Sequence, residues 1–170
     1  MSAPTQHRSA THRSASRPAL DKAIVKWAVR HSVPCMQELL LALGLVLFLL
    51  GLLTGMAIPL LKNPRMGLAS HLQGMTNGPF LVLIGVIWPQ VHLPHLWQVI
   101  AVTLLIYGTY ANWLATQLGA LWGAGSRWAP VAAGTHRAAA TRERVVGLLL
   151  LTLAPAMVIA TVLLIVGVLR

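Results

Sequence analysis

The residues best suited to chemistry in this chain are His71, Asn77, Tyr107, Tyr110 and Asn112, set within long apolar stretches. An imidazole can ligate a metal or move a proton, and amide and phenol groups can hold a substrate oxygen. The first two fall in Ser70-His71-Leu72-Gln73-Gly74-Met75-Thr76-Asn77-Gly78. On a helix, His71, Gly74, Met75 and Gly78 form one stripe at i, i+3, i+4 and i+7. A histidine with two glycines on its own face has open space beside it. A second helix could enter that space, as in small-residue packing. A flat ligand such as a porphyrin could equally enter it, with the imidazole reaching the iron. Asn77 lies about 120° further round the helix and can point toward an adjoining cavity.

The second group is Tyr107-Gly108-Thr109-Tyr110-Ala111-Asn112-Trp113, followed by Thr116 and Gln117. Helical spacing gives two polar stripes, Tyr110 with Gln117 and Thr109 with Asn112 and Thr116, and places Tyr107 on the side of Tyr110. Such groups either knit helices together or line a cavity. So much polarity opposite a helix bearing His71 and Asn77 favours a polar cavity. His92-Leu93-Pro94-His95 lacks the third ligand that a zinc site needs and reads as an exposed turn. Asp and Glu are absent from residues 39–142. That excludes proton-coupled carboxylate transport of the usual type and argues against carboxylate acid–base catalysis.

Composition says what must position these groups. Of the 170 residues, 56% are hydrophobic and only 9% charged, too few to cover a water-exposed surface. The formal net charge of +10 would suit nucleic acid, but its distribution does not. Lys and Arg vanish from 39–61, 66–126 and 145–169, while six of the thirteen lie in 1–30. Cationic ends around long uncharged stretches are the pattern of an integral membrane protein. Soluble enzymes, nucleic-acid partners and disulfide scaffolds are excluded, and the single Cys35 permits no internal disulfide.

The expected fold is an all-α, four-helix transmembrane bundle preceded by a short amphipathic helix. Residues 1–18 hold Ser, Thr, Ala and Arg without acid, and read as a disordered polar tail. Over 19–33, Leu20, Ile24, Trp27 and Ala28 share a face away from Asp21, Lys22, Lys26 and Arg30, which suits a helix in the lipid headgroup layer. Pro34 is expected to separate it from the membrane domain, 34–170. The spans run over about 36–61, 68–90, 96–123 and 145–169, each near the length that crosses ~30 Å of hydrocarbon. Gly44, Gly51 and Gly55 give the first span a thin face, and Trp88, Trp97 and Trp122 sit where an aromatic belt is expected. Lys and Arg near the spans favour both termini in the cytoplasm.

Several blocks carry a resemblance. They are Leu49-Leu50-Gly51-Leu52-Leu53-Thr54-Gly55, Asn63-Pro64-Arg65-Met66-Gly67-Leu68, His71-Leu72-Gln73-Gly74 with Asn77-Gly78, and Tyr110-Ala111-Asn112-Trp113. In this order, over about residues 40–125, they resemble the hydroxylaminobenzene mutase family. More distantly the chain is similar to styrene oxide isomerase, another small four-helix membrane enzyme. There too a histidine is followed six residues later by asparagine and glycine, as His71, Asn77 and Gly78 stand here. The resemblance implies a bacterial inner-membrane isomerase that moves the hydroxyl of a small aromatic substrate from nitrogen to the ortho carbon. It also implies a homotrimer with haem b, bound through His71 as axial ligand with Gly74 and Gly78 beside it. Asn77, Asn112 and either Tyr107 or Tyr110 would then meet the substrate. At Gln73 the mutase family more often carries Glu, so an acid–base role at that position does not transfer. The alternative functions are a haem-dependent epoxide isomerase and a non-catalytic four-helix membrane protein. An electron-transfer subunit is the weaker rival, since Met75 lies on the helix of His71 and cannot reach the opposite haem face.

Overall fold

The structure is a computed structural model that describes the backbone from residue 17 and the side chains from residue 35. Its helices are α1 (Arg17–Ala57), α2 (Pro64–Ile87), α3 (His95–Trp122), the single turn α4 (Pro130–Ala133) and α5 (Ala140–Val168). No strand occurs among the described residues. The expected polar tail lies outside them but for its last two residues, and the amphipathic face over 19–33 lies outside the described side chains. The backbone corrects one expectation there: α1 continues through Pro34 instead of stopping at it. One proline removes a single amide hydrogen bond, and the helical turns on both sides carry the helix across.

Three helical segments are long and apolar enough to cross a membrane: Cys35–Leu60, His95–Trp122 and Ala140–Val168. The fourth expected span, α2, does not qualify on that measure, because Ser70, His71, Gln73, Thr76 and Asn77 dilute its first half. The helices pack in sequence order, α1 on α2, α2 on α3 and α3 on α5. A core of Leu40, Leu47, Leu81, Ile84, Trp88, Leu105 and Leu164 runs through them. Trp88 is therefore buried and does not join the aromatic belt, whereas Trp97 is exposed.

The α1–α2 seam is built on glycine. Gly51 and Gly74 oppose each other so closely that a Cβ on Gly51 would lie 2.8 Å from Gly74 Cα. A Cβ on Gly78 would lie 2.6 Å from the Phe48 backbone nitrogen, and one on Gly44 2.8 Å from the Gly78 carbonyl. The thin faces of both helices are thus spent on each other within one chain.

The turn into α2 is held by Asn63, which is fully buried. Its Oδ1 caps the helix by accepting from the Arg65 and Met66 amides at 3.1 and 3.3 Å. Its Nδ2 donates to the Ala133 carbonyl at 3.0 Å, and its own amide donates to the Ala120 carbonyl at 2.9 Å. One side chain therefore ties α2 to α4, which explains why the helix starts at Pro64 and not at Leu68. Asn63→Ala strips a cap and leaves buried groups unpaired, an expected loss of about 2 kcal/mol. Thermal unfolding in detergent, compared with Thr76→Ala on the exposed face of α2, measures it. Opposite, the long loop before α5 is pinned by Glu143, which accepts from the Gly125, Ser126 and Ala138 amides at 3.0, 3.1 and 3.3 Å.

Candidate active site

His71 sits on the α2 face that meets α1. Its Nδ1 is 2.8 Å from the Gly51 carbonyl, and the ring lies against Gly55, where a Cβ would come within 2.6 Å of Nδ1. A carbonyl can only accept, so Nδ1 is the donor, and in the neutral ring the lone pair is on Nε2. Nε2 has no hydrogen-bond partner among the described residues. A half-buried imidazole steered by a backbone carbonyl, with the other nitrogen basic and free, is the arrangement that metal-ligating histidines use. One donor of this kind fits an axial haem ligand. The described residues contain no cluster of three or more His, Cys, Asp or Glu that would suit a metal held by side chains alone.

Gly74 and Gly78 do not share in that. The open space beside them, which the sequence leaves to a helix or a flat ligand, is taken by α1 through Gly51 and Phe48. Their expected part in holding the haem is corrected to helix packing, because the peptide backbone of α1 already fills the stripe.

Asn77 and Asn112 come together across the α2–α3 seam through Gln73, which the sequence marks only as a departure from the family and not as a site residue. Gln73 Oε1 accepts from Asn77 Nδ2 at 3.2 Å and from Asn112 Nδ2 at 2.7 Å. All three side chains are half-buried. The spacing of Gln73 and Asn77, four residues apart on one helix, could have revealed the pair, since i and i+4 amides stand one above the other. A second network lies toward α1. Gln117 Oε1 accepts from Ser70 Oγ at 2.9 Å and Thr54 Oγ1 at 3.3 Å, and Trp113 Nε1 donates to Thr54 Oγ1 at 3.3 Å. It joins α1, α2 and α3 with hydrogen bonds that are satisfied internally.

The tyrosines part company. Tyr110 OH donates to the Leu43 carbonyl at 2.7 Å and so faces α1, while Tyr107 OH pairs with Thr152 Oγ1 on α5. They do not share a side. Three helical positions put them ~60° apart, enough to send them to different neighbours. Neither is hydrogen-bonded to the Gln73 network.

Along α2, Phe80 continues the stripe of Gln73 at i+7. It lines an apolar groove of about 360 Å³ with Ile84 and Ile87, closed on the other side by Thr161, Leu164 and Ile165 of α5. An apolar groove of this kind is suited to the flat face of an aromatic molecule.

The long apolar helices, with a histidine and two asparagines among their few polar groups, define a small helical membrane protein, and the comparisons give its class as an isomerase. Residues 36–169 match the styrene oxide isomerase family, and the chain belongs to that family. Among relatives, it is 60% identical over 135 residues to hydroxylaminobenzene mutase HabA of Ectopseudomonas oleovorans, covering 79% of this chain and 100% of that one. It is 49% identical over 120 residues to hydroxylaminobenzene mutase HabB of the same organism, covering 71% of this chain and 73% of that one. No solved structure matches.

Proposed function

We propose that this protein is a membrane isomerase that converts hydroxylaminobenzene to 2-aminophenol. The observation that carries the reading is the 60% identity to a mutase matched over its whole length. The reaction breaks N–O and forms C–O at the ortho carbon. The ortho hydrogen leaves as a proton and nitrogen gains one, so no external oxidant or reductant is consumed.

The setting is a four-span bundle in a bacterial inner membrane, with α2 as the fourth span. Its support is that α2 turns Leu68, Leu72, Leu83 and Val86 outward while Ser70, Gln73 and Asn77 bond inward to α3 or to each other. Polar groups in a span are expected on the side that meets other helices. A homotrimer, implied by the resemblance, belongs to the same reading.

His71 would hold haem b through Nε2, and when bound that group supplies a Lewis-acidic iron. The chain's own residues supply the rest. The Gly51 carbonyl fixes the imidazole tautomer. Asn77 and Asn112 hold the polar edge of the substrate, and the Phe80 groove, further along α2, offers its ring an apolar surface. Tyr110 and Tyr107 act one step back, fastening α3 to α1 and to α5.

Membranes carrying the protein, given hydroxylaminobenzene in oxygen-18 water, are expected to yield 2-aminophenol without label, read by chromatography and mass spectrometry. Extensive label would mean attack by solvent and would overturn internal transfer.

A further inference from the structure

Amide oxygen and nitrogen can trade places in a hydrogen-bond network, so orientation has to be anchored by a group with only one role. The Gln73 cluster has such an anchor. The main-chain carbonyl of Thr109 can only accept, and Asn77 Nδ2 lies 3.5 Å from it. Turning the Asn77 amide over would set Oδ1 against that carbonyl, two acceptors face to face. With the Asn77 amine so directed, the group that it meets at 3.2 Å must be the Gln73 oxygen. The partner of that same oxygen at 2.7 Å must then be the Asn112 amine. The constraint passes one way, from Thr109 through Asn77 and Gln73 to Asn112.

Its consequence is a polarity. Both asparagine carbonyl oxygens lack a hydrogen bond among the described residues, and both belong to half-buried side chains at the α2–α3 seam. We propose that Gln73 is a specificity-determining, positioning residue: it holds both amines, so that Asn77 and Asn112 offer the substrate acceptors. This rests on the mutase reading above and deepens it. Such a site takes an aromatic substrate that donates hydrogen bonds, as the N–H and O–H of an arylhydroxylamine do. An aryl epoxide or ether brings only an acceptor oxygen and leaves two half-buried carbonyls unpaired. Sites built to hydrogen-bond a donor reject analogues that lack it by large factors.

The test is a pair of ligands of like size, titrated calorimetrically into the full chain in nanodiscs. They are 2-aminophenol, which donates, and 2,3-dihydrobenzofuran, which only accepts. Wild-type protein is expected to bind the first tighter by about tenfold or more, a factor in keeping with one or two buried hydrogen bonds. Gln73→Met leaves Asn77 anchored by the Thr109 carbonyl but frees the Asn112 amide to turn, and the ratio falls severalfold. Gln73→Glu keeps an acceptor at the hub and keeps the preference. A purely structural role would weaken both ligands alike and leave the ratio within about twofold of wild type in Gln73→Met, which overturns the proposal. A wild-type ratio at or below one overturns it whether or not the variants fold. Failure of the mutase reading is seen separately, as no 2-aminophenol formed by wild type, since the ratio is read without turnover.

Discussion

His71→Ala protein is expected to fold and to lose mutase activity by a hundredfold or more, together with the visible absorption of bound haem. The fold survives because the imidazole is half-buried at the seam and its one protein bond goes to a carbonyl already inside the α1 helix. That oxygen keeps its helical partner when the ring is gone, so no buried group is orphaned. The activity does not survive, because Nε2 is a half-buried ring nitrogen without a protein partner among the described residues and so is open to a ligand. Losing an interaction made to the reacting group costs on the order of a hundredfold or more. Asn77→Ala should separate the two readouts, keeping the absorption and losing rate, since Asn77 bonds toward α3 and not toward His71. Far-UV circular dichroism checks the fold, a Soret band the haem, and chromatography the product. Full activity in His71→Ala protein that carries no haem would remove the metal from the proposal.

Much of this could be read from residue types alone. Uncharged stretches bounded by Pro, Gly and Lys or Arg marked the four long helices, and His71, Asn77 and Asn112 stood out because polar groups are rare there. What periodicity cannot supply is the rotation of one helix against its neighbour. The stripe of His71, Gly74 and Gly78 was visible, but two occupants suited it equally. The choice fell to Gly51, twenty-three residues before Gly74, whose missing side chain lets α1 fill the space. The tyrosines failed for the same reason: ~60° on the wheel looks like one side until α1 and α5 stand on either hand. Gln73 does not stand out as a site residue because an amide looks neutral until its two partners are known. Pro34 misled because a proline weakens a helix without always ending it.

Gly74→Leu is the substitution expected to cost most stability, and it should take the site with it. A Cβ at residue 74 would fall on the Gly51 Cα, and the atoms it meets are backbone, which cannot swing aside. Leu adds three more carbons to a gap that does not hold one, so α1 must move off α2. Overpacking a tight contact costs about 1–3 kcal/mol, and the backbone contact puts this case at the upper end. The displacement reaches further than the seam. It lengthens the 2.8 Å contact from His71 Nδ1 to the Gly51 carbonyl, and it draws Thr54 away from Gln117 and Trp113. An imidazole without its carbonyl loses its fixed tautomer, and such supporting contacts are worth tenfold to a hundredfold in metal affinity or activity. The expected result is a melting temperature lowered by several degrees in detergent, with activity lost even in the fraction that stays folded. Thr76→Leu, two residues on but exposed, should change neither. Gly74→Ala should fall between wild type and Gly74→Leu in both measurements, because its single carbon already meets the Gly51 backbone. Wild-type stability and rate in Gly74→Leu would mean that α1 and α2 do not meet at these glycines, and the site as described would not stand.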